Sequence, residues 1–229
     1  MRFQDAAPDA RAIVYAGIQA DPLVARAAAL LADAGYPERV LARAVMNGES
    51  TDPAAWRTMF PGLFGPDAVA SNSRAVERAE AILAASLAVA DRGEQARSQY
   101  RGAIVESLTE TLVRRRNPGA LATAVRRERR ILFDGVRAEI HPYDVTVEVP
   151  GGYAAIDCKW GARGISADVL HQLDDARTHA TDDGERLVAI LVVFDAELSC
   201  AIRLERQTAP HETTEIVSLE TLDRLAAAG

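Results

Sequence analysis

The chain has 229 residues, 48% of them apolar, and a formal net charge of −7. That length and apolar share suffice for one sizeable α/β domain with a helical appendage, and they exclude wholesale disorder. Two cysteines, Cys158 and Cys200, with no CxxC or Cys/His spacing, exclude a disulfide framework and a structural zinc site and point to a reducing, cytoplasmic setting.

In chain order, residues 1 to about 95 read as helices only. Alanine and leucine dominate, and Leu23, Ala27, Leu30, Leu31 and Ala34 recur at helical spacing. The opening MRFQDAAPDARAIV shows no basic-then-apolar leader pattern. Turns fall at Gly35-Tyr36-Pro37, Asn47-Gly48, Asp52-Pro53 and the stretch from Pro61 to Pro66. Ser71-Asn72-Ser73 offers N-caps for a helix reaching about Asp91. A further helix spans about Gly93 to Arg116 and ends at Asn117-Pro118-Gly119. A short basic helix is expected next. Then come three strands, at Ile131–Phe133, Tyr143–Val149 and Tyr153–Lys159, the last two joined by Pro150-Gly151-Gly152. A helix from about Ser166 to Ala180 precedes an apolar strand from Arg186 to Phe194. Cys200–Leu204 reads as a partner strand, and Ser218–Ala227 as a closing helix. No apolar run nears the roughly 18 residues needed to span a bilayer, so a soluble protein without a membrane partner is expected. The fold class is α/β, a mixed sheet flanked by helices, with residues 1–95 as an all-helical region and 96–229 as the domain that carries chemistry.

Chemistry concentrates in HPYDVTVEVPGGYAAIDCKWG. Asp157 and Lys159, two apart on a strand, project to one face, and antiparallel pairing in a suitable register brings Asp144 alongside them. Lys159 is the one lysine among twenty-six basic residues, which suggests a position where a guanidinium does not serve. Two carboxylates suit a hard divalent cation such as Mg2+ or Mn2+, with the backbone carbonyl of Cys158 as a further ligand. Such an ion polarises a phosphoryl oxygen and lowers the pKa of water, and an adjacent lysine stabilises transition-state charge. The bland alternatives are an Asp157–Lys159 ion pair and a turn-capping Asp144. The basic run Arg114, Arg115, Arg116, Arg126, Arg127, Arg129 and Arg130, and Arg163 in the loop after the lysine, read either as solvated surface or as a rim for phosphates.

Asp144, a hairpin, then Asp157-Cys158-Lys159 resembles the signature of the PD-(D/E)xK, or restriction-endonuclease-like, nucleases. Pro142 stands one residue further from Asp144 than the motif's name implies. The resemblance covers roughly residues 100 to 205 and implies the restriction-endonuclease-like fold. It also implies a glutamate on the preceding helix that binds metal or positions water. Glu106, four residues after Gly102, fills that place, with Glu110 one turn later as competitor. A glutamine on the helix after the lysine, here Gln172, is implied as well.

The expectation is therefore a magnesium-dependent phosphodiesterase. DNA is favoured over RNA as substrate, and endonucleolytic defence against foreign DNA is suggested by fold-level analogy. Its N-terminal helices would serve recognition, homodimerisation or docking to a protein partner. The alternative is a catalytically inactive nuclease-like scaffold or sensor within a larger complex.

Overall fold

Caps and turn residues set the element ends. Asp21 accepts the Leu23 N–H at 2.8 Å, Asp52 that of Ala54 at 2.9 Å and Asn72 that of Ala75 at 3.1 Å, each just before a helix. Ser166 does the same for Val169 at 3.4 Å. The computed structural model describes residues 1–6, 10–119, 124–133, 136–137, 141–149, 152–209 and 213–226. In chain order these form β1 (Arg2–Asp5), α1 (Ala10–Gln19), α2 (Pro22–Ala32), α3 (Tyr36–Asn47), α4 (Pro53–Met59), α5 (Pro61–Phe64), α6 (Pro66–Ser71), α7 (Ser73–Ala90) and α8 (Glu94–Arg116). There follow β2 (Val125–Phe133), β3 (Val136–Arg137), β4 (Tyr143–Val149), β5 (Gly152–Lys159), a 3-10 turn (Ala162–Gly164), α9 (Ala167–Asp182), β6 (Leu187–Val193), α10 (Glu197–Leu204), β7 (Glu215–Val217) and a 3-10 turn (Leu222–Leu225).

The chain divides into two units, Ala10–Leu108 and Met1–Asp9 with Thr109–Gly229. The division between Leu108 and Thr109 falls within α8. In the helical unit, α2, α3 and α7 pack together through Leu31, Leu41, Val45, Met46, Ile82 and Leu83, all buried.

The second unit is a mixed sheet in the order β1-β2-β4-β5-β6-β7, with β3 paired to β2. The β1–β2, β2–β4 and β4–β5 pairs are antiparallel, whereas β5–β6 and β6–β7 are parallel. Ala155, Ala189, Leu191 and Val193 of the sheet join Leu170, Leu173, Ala176 and Ala180 of α9 in one apolar core. Both cysteines are buried, and neither forms a disulfide. Among the described residues, no helix is long and apolar enough to cross a membrane.

Four expectations are corrected. Residues 1–95 are not all helical, because Arg2–Asp5 form β1 and pair with Arg129–Leu132. The short basic helix is instead the strand β2, in which Arg126, Arg127 and Arg129 pair with β4, and Arg129 and Arg130 with β1. Long-range pairing overrides the helix preference of arginine and glutamate here, and Glu128 adopts φ 54°, a left-handed kink inside the strand. Cys200–Leu204 belongs to α10, whose exposed Leu198 and Ile202 lie four apart while Cys200 faces the core. The closing helix is reduced to the 3-10 turn Leu222–Leu225, and Ala227 lies outside the described residues. So do Pro150 and Gly151 of the expected hairpin turn.

Candidate active site

The β4–β5 ladder pairs Val145 with Ile156, so continuing the register by one residue sets Asp144 beside Asp157. The parallel partner β6 places Leu191 beside Asp157 and Val193 beside Lys159. An apolar strand on one side and a hairpin partner on the other thus deliver the three polar side chains to one sheet end.

Asp157 is buried, at 8% exposure, and its Oδ1 lies against the Lys159 ammonium. Asp144 Oδ2 accepts the backbone N–H of Cys158 at 2.6 Å, which tethers the second carboxylate to the middle of the Asp157-Cys158-Lys159 run. Burial pulls the Lys159 pKa down, but the carboxylates of Asp157 and Asp144 outweigh it and hold the pKa above the ordinary lysine value. The structure therefore brings Asp144, Asp157 and Lys159 into one electrostatic group. Cys158 lies between them in the strand, and its thiol reaches Thr109 Oγ1 at 3.4 Å.

The donor set suits a hard cation. Among the described residues no three or more His, Cys, Asp or Glu side chains gather into a metal-holding cluster, and the oxygen donors beside Lys159 are the carboxylates of Asp144 and Asp157. Magnesium is commonly held in that way, by one or two carboxylates, with water and phosphate oxygens completing the octahedron.

The other expected residues have different surroundings. Glu106 belongs to the helical unit, where its carboxylate accepts from the Tyr15 hydroxyl and, at 2.7 Å, from Gln19 Nε2. Gly102 permits this, since a Cβ there would lie 3.0 Å from the Tyr15 hydroxyl. The competing Glu110 carries two arginines, accepting from Arg114 Nε at 3.0 Å and from Arg127 Nε at 2.5 Å. Gln172 donates its amide to the His141 carbonyl at 3.2 Å, and its own carbonyl accepts from the Tyr143 hydroxyl, so it ties α9 to the start of β4.

Four of the eight arginines of the expected phosphate rim meet acids, and two of them share one carboxylate. Arg114 and Arg127 meet Glu110, Arg126 meets Asp5, and Arg129 meets Glu148. Arg115 and Arg116 are exposed at the end of α8, Arg130 lies half-buried on β2, and Arg163 is exposed in the turn after Lys159. Trp160 stacks on Phe194 with ring centroids 4.9 Å apart.

Sequence reasoning passed over Asp195. It is buried just after β6, and its carboxylate accepts the N–H groups of Ala162 at 3.0 Å and Ala196 at 2.8 Å. The available signal was an aspartate closing an apolar strand beside the strand that ends in Lys159. Compared with protein families, with curated proteins and with solved structures, the chain matches none.

Proposed function

We propose that this chain is a metal-dependent nuclease of the PD-(D/E)xK kind that hydrolyses phosphodiester bonds, with DNA as the favoured substrate. The observation that carries the reading is the convergence of Asp144, Asp157 and the chain's one lysine, Lys159, at a single sheet end. A mixed sheet with α9 packed on it agrees with the restriction-endonuclease-like fold that the sequence resemblance implies.

In this reading Asp144 and Asp157 hold Mg2+ or Mn2+ through oxygen ligands, with the Cys158 carbonyl as a further candidate. Bound there, the ion supplies Lewis-acid polarisation of the phosphoryl oxygen and lowers the pKa of water. Lys159 orients the attacking water and stabilises negative charge that develops on the phosphoryl group. Asp157 keeps the ammonium aimed, and the Cys158 N–H keeps Asp144 facing the same space. Exposed Arg163, in the turn after the lysine, stands ready for a neighbouring phosphate.

The test is cleavage of plasmid, single-stranded DNA and RNA by the wild type and Lys159→Ala, each with Mg2+, Mn2+ or EDTA. Metal-dependent cutting that vanishes in the variant supports the reading. The internal pairing of Arg114, Arg126 and Arg127 with acids favours a second reading, a nuclease-like scaffold or sensor without catalysis. Absence of both cutting and metal binding by calorimetry would select that one.

A further inference from the structure

The 3-10 turn Ala162–Gly164 folds back over the lysine it follows. A Cβ on Gly164 would lie 2.8 Å from Lys159 Cβ and 2.9 Å from both Cγ and Cδ, closer than real carbon atoms approach. Cβ is fixed by the backbone, so no rotamer change of Lys159 relieves its contact at 2.8 Å. Neither partner is free to retreat. Lys159 is held in the β5–β6 ladder, and its carbonyl accepts the Phe194 N–H at 2.8 Å. On the other side, Asp195 binds the Ala162 N–H at 3.0 Å, the Gly164 N–H binds the Gly161 carbonyl at 2.9 Å, and Arg203 Nε binds the Ile165 carbonyl at 3.0 Å. Backbone conformation does not demand glycine at this position, since its φ lies outside the left-handed region. Space alone does.

We infer that Gly164 is a positioning residue for Lys159: the missing Cβ lets the pinned turn press on the lysine stem and direct the ammonium onto Asp157. Asp195 and Arg203 act with it by holding the turn in place. The catalytic consequence rests on the nuclease reading, whereas the positioning itself does not.

Gly161 supplies a matched control. It lies in the same turn, in extended backbone at φ −156°, and a Cβ there would meet Asp195 Oδ2 at an ordinary 3.5 Å. Because Lys159 is the chain's one lysine, isotope-labelled lysine yields a single side-chain NMR signal without further assignment. In Gly164→Ala that signal should move towards the position of free lysine, while in Gly161→Ala it should stay at the wild-type position. Where the wild type cuts DNA, Gly164→Ala should lower kcat by about 10²-fold with KM little changed, as expected for a displacement of about 1 Å. If Gly164→Ala fails to fold, the stem contact is read in reverse: G164A combined with K159G should fold as K159G alone does.

A Gly164→Ala protein with an unmoved lysine signal overturns the inference and leaves the nuclease reading standing. A wild type that neither cuts nor binds metal sinks the nuclease reading, yet the lysine signal still decides the positioning role. A G164A/K159G protein no better folded than G164A also overturns it.

Discussion

Replacing Lys159 by methionine removes the cation and keeps most of the stem volume, so the main loss is electrostatic. Asp157 would be left at 8% exposure with Asp144 nearby and no counter-charge. Breaking a fully buried pair costs about 3–5 kcal/mol, and an exposed pair about 0.2–1 kcal/mol. The side chains here are 27% and 11% exposed, which places Lys159→Met between those limits, at about 2 kcal/mol. With a urea slope of about 2 kcal/mol/M, the midpoint should fall by roughly 1 M. Because the chain forms two units, one probe must report on the sheet unit alone. Trp160 serves in a Trp56→Phe background, since these are the two tryptophans. Adding Asp157→Asn to Lys159→Met should return the midpoint most of the way, because the stranded charge is gone. Magnesium at ten times its dissociation constant should restore about 1.4 kcal/mol to Lys159→Met by binding the folded site. A Lys159→Met protein as stable as wild type, with magnesium without effect on either, would refute the coupling of these three groups.

Phe3→Ala should destabilise the sheet unit by about 3 kcal/mol, since Phe3 packs edge-on against Tyr153 and beneath Arg129. A thermal melt unchanged by it would contradict the β1 pairing. Glu106→Gln should weaken the helical unit by about 1–3 kcal/mol, because an amide group would face the donors of Tyr15 or Gln19. Calorimetry should find its magnesium affinity unchanged; a fall would restore the ligand role that the resemblance implies for Glu106. The Tyr100 hydroxyl, the Leu23 N–H and Arg92 hold the Asp21 carboxyl below the usual aspartate range. Its contribution is fully present above the pKa of an unfolded aspartate, roughly 4, and is lost as pH falls through the lower folded value. Asp21→Asn should flatten that acid limb of the stability curve, as followed by circular dichroism.

The elements legible in the sequence were those with strong local signals. Asn72 announced α7 as a cap, and β4, β5 and β6 showed in alternating or continuous apolar runs. The two-residue strand period placed Asp157 and Lys159 on one face before any contact was known. By contrast, β1 carries one buried residue in Arg2–Asp5, and its partner residues Arg129–Leu132 are remote in sequence. No local pattern could mark it. The Cys200–Leu204 run was short enough to suit strand or helix, and packing of Cys200 into the core chose helix.

The sequence by itself determined the α/β character, the Asp144/Asp157/Lys159 grouping and the singular status of the lysine, because these follow from periodicity, spacing and composition. Tertiary structure alone decided which charges were already spent. Arg126 and Arg127 looked alike in the chain, yet one faces Asp5 of β1 and the other Glu110 of α8. It alone also revealed Asp195 and Gly164 as supports of the site, since their roles are distances to residues from another strand or across a turn. Electrostatic pairing and steric contact act through space, and a one-dimensional pattern carries only the part of space that one helix or strand can span.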